Sequence, residues 1–367
     1  MTNVNSFRIY REQTGFSQEQ LGEQIGVTRQ TIAAWERGER EPSLLQISKI
    51  ARVLGVSLEL LLDQPTDSLK GVGQLEVNLL FRADEPSALT PYVRDHLTQK
   101  AVDYAEVEAL LGEVPAIPAL RPLEGYDETL VEELATEVRD WLGVGELTPI
   151  GDVLALLESK GLKVIPYLLP AKVSGFSAYT EAWGAVIFVN EDHPTERKFF
   201  TALHEVAHLI FHRREYKVPQ TRSRPTEPRE KAANHLAGAV LMPRGAVLRE
   251  LHAYRNRWLP EPLLKDIKRR YGISLRTILY RAEQAELITK QQKGQQLGVL
   301  NKKYGLEDEP EKLPLPERLN RLERLVYTAL IEKKLTVSRS AEILGEHVLT
   351  VREKLSEWLK QGEEDTM

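Results

Sequence analysis

Residues 199–212 constrain this chain more than any other stretch. They form an apolar run without Gly or Pro, FFTALHEVAHLIFH, that contains the pattern His-Glu-x-x-His. On an α-helix, residues four apart lie on one face about 6 Å apart along the axis, so His204 and His208 can both direct a ring nitrogen at one metal ion. Glu205 lies beside them, where it would accept a proton from water rather than ligate. The stretch predicts a buried helix that needs a third ligand from elsewhere.

The composition narrows the chemistry that is open to this chain. None of the 367 residues is Cys, so disulfides, cysteine nucleophiles and thiolate ligands are excluded, and a metal must be held by His, Asp or Glu. No apolar run approaches the length of a membrane span and the polar start lacks signal-peptide features, so a cytoplasmic protein is expected. The net charge of -5 argues against a chain that coats nucleic acid along its length, but it permits one basic face.

Residues 1–64 are punctuated like five short helices, with Ser or Thr at N-cap positions and Gly at helix ends. The stretch from Gly15 to Gly38, GFSQEQLGEQIGVTRQTIAAWERG, resembles the Xre-type helix-turn-helix regulators, the family of the phage repressors, and the resemblance runs over about residues 7–62. In such a domain the second helix of the pair lies in the DNA major groove. Carried over by position, that helix begins at Thr28, with Arg29, Gln30 and Ala34 expected to face the bases and Gln18, Arg37, Gly38 and Arg40 expected at phosphates.

The charges of this segment leave an alternative open. Its acidic and basic residues nearly cancel, and Glu39 and Glu41 stand near the expected DNA side, so the domain could instead bind a protein. Glu36 also stands there, but in the resembling repressors this position pairs with an Arg of the first helix. We therefore expect an internal ion pair between Glu36 and Arg11, in which loss of either partner leaves an uncompensated charge.

Residues 126–255 combine helical and strand patterns around the His-Glu-x-x-His stretch. Residues 65–125, which precede this segment, are expected to connect it to the N-terminal domain. They contain a strand candidate at 75–81, helix at 88–111 and a Pro-rich spacer at 114–122. Helices are predicted at 128–142 and 150–160, and short strands at 162–167, 175–179 and 185–190. The metal helix follows, with Pro194 in its first turn, and after a polar loop at 216–229 comes a helix at 230–242 that Pro243 ends.

This central segment resembles the ImmA/IrrE-type metallopeptidases over about residues 126–245. The resemblance implies a gluzincin-like site in which Glu230 is the third ligand and Asn234, one turn further on, supports the shell by hydrogen bonding. Many relatives carry an acidic residue where this chain has Ala232, so the assignment depends on Glu230 alone. The residues that carry the match are Val189-Asn190, the run 204–212, Glu230, Ala233-Asn234, Leu236-Ala237 and Leu241-Met242-Pro243.

Two other histidines are rival third ligands. His212 lies eight residues after His204, about 12 Å along a helix, so it cannot converge with the pair on one ion. His235 is adjacent to Asn234, and neighbouring helical residues point about 100° apart, so it faces away if Glu230 and Asn234 face the metal.

The last segment is helical again. Helices are expected at 264–271, 274–285, 319–333 and 338–359, with Ser274 and Ser338 as caps and Gly272 and Gly345 at turns. The stretch 291–315 is polar and is expected to be mobile. Packing or dimerisation is the preferred role of these helices, ahead of a second DNA site.

The sequence therefore predicts an α+β, mostly α fold in four parts. These are an N-terminal five-helix Xre-type domain at 1–64, a helical connector at 65–125, a central zincin-like α+β peptidase domain with a small antiparallel sheet at 126–255, and a C-terminal helical region at 256–367.

The resemblances together imply a zinc-dependent endopeptidase coupled to a DNA-binding domain, which cleaves a helix-turn-helix repressor in a stress or mobile-element response. Zn²⁺ is the expected cofactor, and Mn²⁺ accepts the same ligands. A double-stranded DNA operator and the protein substrate are the expected partners, a homodimer is left open, and no membrane is involved. The alternative is a non-proteolytic DNA-binding regulator whose metal site is a sensor or scaffold. An antitoxin-like partner protein is a weaker third option.

Overall fold

The computed structural model describes residues 8, 11, 16–54, 91–113, 125–170, 173–180, 183–211, 227–306, 308–316 and 320–364. The chain divides into two compact units: residues 1–77 with 90–92 form the N-terminal unit, and residues 78–89 with 93–367 form the large unit. A search of the described helices found none with the length and apolar content needed to cross a membrane. The predicted strand at 75–81, the Pro-rich spacer at 114–122 and most of the polar loop at 216–229 lie outside the described residues.

The N-terminal unit contains three described helices: α1 (Gln18–Ile25), α2 (Arg29–Glu36) and α3 (Leu44–Leu54). Ser17 and Gln20 form a reciprocal capping box at the start of α1, and Gly26 ends that helix in the left-handed conformation at φ 76°. A Cβ atom on Gly22 would lie 2.7 Å from the carbonyl oxygen of Val27, so only glycine permits this tight turn into α2. The first predicted helix is described only at residues 8 and 11, and the fifth lies outside the described residues, so the count of five stays a prediction.

The predicted ion pair between Arg11 and Glu36 is confirmed. The guanidinium donates from Nε to Glu36 Oε1 at 2.5 Å and from Nη2 to Oε2 at 3.1 Å, and Nη1 donates to the carbonyl of Phe16. Both side chains are at least nine-tenths buried. This two-pronged contact ties the start of the unit to the last residue of α2.

The large unit is mostly helical around one small sheet. Its helices are α4 (Pro91–Leu111), α5 (Glu128–Leu142), α6 (Val153–Ser159), α7 (Thr195–Phe211), α8 (Glu227–Leu241), α9 (Arg244–Leu251), α10 (Glu261–Tyr271), α11 (Leu275–Gln284), α12 (Lys290–Tyr304), α13 (Arg321–Ile331), α14 (Val337–Leu344) and α15 (Val348–Glu364). The strands are β1 (Lys163–Tyr167), β2 (Gly175–Thr180) and β3 (Gly184–Asn190).

The sheet corrects one expectation. The strand order is β1-β3-β2, with β2 antiparallel and β1 parallel to β3, so the predicted antiparallel sheet is wrong for one of its two pairings. The third strand is central because residues 185–190 are buried throughout, and a strand covered on both faces belongs in the middle of a sheet. Strand β2 is consequently an edge strand of the described sheet, lying against α7.

Helix α7 lies at the centre of the main hydrophobic core. Fifteen of its 17 residues are buried, and the helix packs against α8 on one side and the sheet on the other. Helix α8 approaches closely because it presents small side chains, among them Ala233 and Ala237, both fully buried. Ala232 is buried in the same core.

Residues 290–316 overturn the expectation of a mobile polar stretch. Helix α12 begins with a capping box between Thr289 and Gln292, and its buried Gln296 accepts a hydrogen bond from the Leu259 N–H. Residues 308–316 are held by charge: Arg276 pairs with Glu309 at 2.7 Å. The order of this stretch comes from apolar as well as long-range polar contacts, since Leu300 is buried in the main core and Leu297 and Tyr304 pack against it.

The C-terminal helices differ from expectation at one cap. The predicted turn at Gly345 is confirmed, because Gly345 ends α14 at φ 68° and α15 begins at Val348, so the stretch 338–359 is divided between two helices. The N-cap of α14 is Thr336 rather than Ser338. Tyr327, Leu330, Ala341 and Val351 form the small core of this three-helix group.

A buried ion pair fixes α7 to α10. Lys268 Nζ lies 2.6 Å from Glu196 Oε1 with both side chains only 1% exposed, whereas the neighbouring Arg269 pairs with Glu311 at the surface. We expect Lys268→Ala to lower the free energy of unfolding by about 3–5 kcal/mol, since it leaves a buried carboxylate uncompensated. Arg269→Ala, the matched control, should cost less than about 1 kcal/mol. Urea unfolding followed by tryptophan fluorescence measures both, and equal losses would contradict the assignment.

Candidate metal centre

The two histidines of α7 face each other across one turn of the helix. The helix begins after Pro194, whose carbonyl accepts the N–H groups of Arg197 and Lys198 and starts the helix in a fixed direction. His204 and His208 are both buried, and their Nε2 atoms lie 2.9 Å apart. The rings meet nearly edge to face, with centroids 4.6 Å apart. Two imidazole nitrogens are thus held at one point inside the protein.

Glu230 of α8 reaches the same point. Its Oε2 lies 3.3 Å from His204 Nε2 and its Oε1 lies 3.4 Å from His208 Nε2. Ligands about 2.0–2.1 Å from one ion at tetrahedral angles are separated by about 3.3 Å, so these separations fit a shared Zn²⁺. Two imidazoles and a carboxylate are also ligands that Zn²⁺ and Mn²⁺ accept. The structure therefore brings together the three residues that the sequence predicts as ligands.

The electrostatics of the cluster keep Glu230 ready to ligate. Burial alone would raise the pKa of its carboxyl, but hydrogen bonds and charge from His204 and His208 outweigh burial and hold that pKa well below its usual range. The group is therefore a carboxylate near neutral pH. A carboxylate between two imidazoles is the charge arrangement that a divalent cation stabilises.

Asn234 contacts the far side of the His204 ring. Its Oδ1 lies 3.0 Å from His204 Nδ1, one helical turn from Glu230 on α8. When Nδ1 carries the proton and donates it to this amide oxygen, the lone pair of Nε2 faces the cluster. In that arrangement the hydrogen bond to Asn234 favours the imidazole tautomer in which Nε2 is available to a metal.

Glu205 points to strand β2 and meets a residue that the sequence reasoning missed. Ser177 Oγ donates a hydrogen bond to Glu205 Oε2 at 2.5 Å, and both residues are buried. A Cβ atom on Gly175 would lie 2.6 Å from Thr201 Cγ2, so strand and helix touch at a second point. Two strand residues advance about 6.6 Å and four helical residues about 6 Å, so the contacts are in register. Small residues at alternate positions of a strand were the available sequence signal.

Two parts of the chain match known families. The family described as Helix-turn-helix matches residues 7–61, and the family described as IrrE N-terminal-like domain matches residues 157–283. The uncharacterized HTH-type transcriptional regulator YgzD of Bacillus subtilis is 47% identical over 55 residues, which are 15% of this chain and 83% of that protein. The chain belongs to the helix-turn-helix regulators and carries an IrrE-like peptidase domain. The metal cluster lies within the residues that the second family matches.

Other relatives extend the helix-turn-helix similarity. An HTH-type transcriptional regulator of Methanothermobacter thermautotrophicus is 52% identical over 48 residues, 13% of this chain and 70% of that protein. The solved structure of a Mycobacterium tuberculosis transcriptional regulator is 19% identical to this chain, with a TM-score of 0.32. The match covers 49% of this chain and 51% of that regulator. A likeness that weak carries no argument about function.

The helix-turn-helix domain exposes part of its expected DNA-reading set. Arg29 and Gln30 are exposed at the start of α2, where Thr28 accepts the Thr31 N–H as N-cap. Ala34 is half-buried, and Arg40 is exposed.

Two residues expected at phosphates are engaged within the helix-turn-helix domain. Gln18 Nε2 donates to Glu36 Oε2 at 2.7 Å, so its amide lies against the internal ion pair. Arg37 pairs with Glu39 at the surface, and the hydrogen bond between them raises the pKa of Arg37 and lowers that of Glu39. Such an exposed pair is weak, so Arg37 can leave the Glu39 carboxylate and bind a phosphate instead.

The rival ligand His235 faces the opposite side of α8 within the IrrE-like domain. Its Nε2 lies 2.8 Å from Glu132 Oε1, and its Nδ1 lies 3.0 Å from the hydroxyl of Tyr126. Burial would raise the pKa of Glu132, but hydrogen bonds from His235 and Arg281 lower it to about 2. His212 lies outside the described residues.

The metal content of two variants on α8 tests whether Glu230, and not His235, is the third ligand. We expect Glu230→Ala to weaken Zn²⁺ binding by more than about 100-fold, beyond the 10–100-fold loss typical of a supporting partner, because it removes one of three ligands. His235→Ala, on the same helix but on its opposite side, should retain the metal. Mass spectrometry of the native protein and competition with a chelator measure both. Full metal occupancy in Glu230→Ala would show that the ligand set is wrongly assembled.

Proposed function

We propose that the protein is a DNA-binding transcriptional regulator whose IrrE-like domain is a zinc-dependent endopeptidase. The single observation that carries the proposal is the convergence of the His204 and His208 Nε2 atoms with the Glu230 carboxylate beside Glu205. Two imidazoles, a carboxylate ligand and an adjacent carboxylate base are the set that metal-dependent peptide hydrolysis requires. The presence of the helix-turn-helix domain supports the proposal that the protein acts at DNA.

A Zn²⁺ ion bound there would polarise the peptide carbonyl and lower the pKa of water. The side chains of this chain supply the rest. Glu205 takes a proton from the attacking water and later delivers it to the leaving amine. Ser177 donates a hydrogen bond to Glu205 Oε2 and so orients the carboxylate that moves the proton. Asn234 keeps the His204 ring in place through Nδ1.

The proposed substrate is a helix-turn-helix repressor, cleaved in a segment that can become extended. Strand β2 is an edge of the described sheet and carries Ser177, so a substrate strand that pairs with β2 would pass beside the base. Backbone pairing selects for an extended chain rather than for particular side chains. Cleavage with little side-chain selectivity suits a regulator whose substrate is recognised by a domain other than the peptidase domain.

A different function is favoured by one observation. The similar curated proteins are named as transcriptional regulators, and the similarity to them is confined to short segments of 48 to 65 residues. In this alternative the metal cluster is a sensor or scaffold, and binding of the metal changes DNA affinity without any cleavage. The two functions differ in what they require of Glu205, which does not ligate the metal in either.

Cleavage of a neighbouring repressor is the direct test. Purified protein, with and without added Zn²⁺ or Mn²⁺, is incubated with the helix-turn-helix repressors encoded beside its gene, and products are identified by mass spectrometry. We expect fragments only with metal, and Glu205→Gln should lower the rate by about 10²–10⁴-fold because the general base is lost. Its metal and DNA binding should be unchanged. Regulation that persists unaltered in Glu205→Gln would favour the sensor.

The contact from Ser177 makes a separate prediction. A hydrogen bond to a charged group contributes about 1.5–3 kcal/mol, so Ser177→Ala should lower kcat by about 10–100-fold with KM and metal content retained. Ser177→Thr keeps the hydroxyl and should recover most of the rate. Steady-state kinetics on a cleaved peptide distinguishes them, and a Thr variant as slow as Ala would assign the effect to packing instead.

A further inference from the structure

The charge of the chain is unevenly distributed. Residues 244–304 contain fourteen Lys and Arg against five Asp and Glu, a net charge of +9, whereas the whole chain carries -5. All 61 of these residues are described, and they form α9 to α12 with their connections. The large unit therefore has a strongly basic segment inside an acidic protein.

Most cations of this segment are neutralised internally. Nine of the fourteen have a carboxylate partner within 4.0 Å, including the buried Lys268 and Arg281. Five have no carboxylate partner in the described part of the chain, and each of them is exposed: Arg244, Arg255, Arg257, Lys290 and Lys302.

Four of these five surround the turn between α11 and α12. The Asn256 N–H donates to the carbonyl of Leu287 at 2.8 Å, which places the flanking Arg255 and Arg257 on this turn. Arg244 Nη1 donates to the carbonyl of Gln284 at 3.0 Å, and Lys290 is the first residue of α12. We name Arg244, Arg255, Arg257 and Lys290 the basic turn patch.

The backbone beneath the basic turn patch is well fixed. Asn256 adopts a left-handed φ of 57°, which asparagine tolerates better than most residues, and its N–H is satisfied by the turn. Leu259 is anchored by Gln296 of α12. Glu286 is the exposed acid within the turn, so the patch retains a surplus of three positive charges. Beside Arg257, the indole of Trp258 is 51% exposed.

The helices next to the patch are built like a helix-turn-helix but cannot read bases. Gly272 ends α10 in the left-handed conformation and Ser274 caps α11, as Gly26 and Thr28 do between α1 and α2. Near the start of α11, however, Arg276 is engaged with Glu309 and with the carbonyl of Asp308. The position that would face bases is occupied within the fold, and the available cations lie at the opposite end of α11.

We propose that the basic turn patch binds the phosphate backbone of DNA without reading sequence. Exposed, unpaired Arg and Lys on a fixed backbone are the side chains that neutralise phosphates, and such contacts position a protein rather than select a site. DNA is favoured over an acidic protein because the chain already carries a DNA-binding domain in the N-terminal unit. The large unit thus adds affinity to that domain. This inference does not depend on peptidase activity.

The salt dependence of DNA binding tests the proposal. Each phosphate contact contributes about 0.9 to the slope of log Kobs against log[salt], so Arg255→Gln/Arg257→Gln in the full chain should reduce the magnitude of the slope by about 1 to 2. Lys302→Gln/Lys303→Gln is the matched control, with the same charge loss at the far end of α12, and its slope should be unchanged. Fluorescence anisotropy with duplexes of several sequences should show the same reduction for each.

Two further measurements complete the test. In an Arg29→Ala/Gln30→Ala background, residual duplex binding should persist and should fall when the patch substitutions are added. An unchanged slope in the patch variant, or an equal change in the control, would overturn the proposal. So would tighter binding of poly-glutamate than of duplex at equal salt, which would assign the patch to an acidic protein.

Discussion

Burial of α7 is the constraint on which the rest of the large unit depends. A helix whose residues are nearly all buried cannot carry two imidazoles and a carboxylate into the core unless each polar atom has a partner there. Helix α8 supplies Glu230 and Asn234 to the histidines, and β2 supplies Ser177 to the carboxylate. The small residues of α8 and Gly175 of β2 allow the required close approach. The same contacts therefore give the polar side chains of α7 their partners and pack α8 and β2 against that helix.

One construction recurs along the chain. Helix α1 and helix α14 each have eight residues between a Ser or Thr cap and a left-handed Gly, and the next helix begins three residues after that Gly. The pair α10 and α11 has the same turn. The surroundings differ: Gln30, four residues after Gly26, is exposed, whereas Arg276, four residues after Gly272, is held by the segment that follows α12. The same turn thus precedes a helix whose start is exposed in the N-terminal unit and a helix whose start is packed in the large unit.

How much the sequence predicts depends on whether the signal is local. Helix α5 is predicted to the residue because Asp127 caps it and Gly143 ends it. The two histidines follow from spacing on one helix, but Glu230 required a resemblance, since nothing in the spacing shows which helix lies opposite. The central position of β3 and the contact of Ser177 with Glu205 are tertiary facts. Helix α12 escaped prediction because most of its residues are polar, although Leu297, Leu300 and Tyr304 pack against the main core at helical spacing. Its buried Gln296, held by the N–H of Leu259, is a tertiary contact that a sequence pattern does not show.

Buried charges at β1 join the segment of the IrrE-like family match to segments that lie outside it on both sides. Glu108 of α4 pairs with Lys163 of β1 and also with Arg321 of α13, whose N–H donates to Glu158. A chain restricted to the family match at 157–283 would keep the whole metal cluster but lose Glu108, the carboxylate partner of Lys163, and Arg321, the hydrogen-bond donor to Glu158. The segments on either side of the family match therefore complete its buried ion pairs and hydrogen bonds, rather than only connecting it to other parts of the chain.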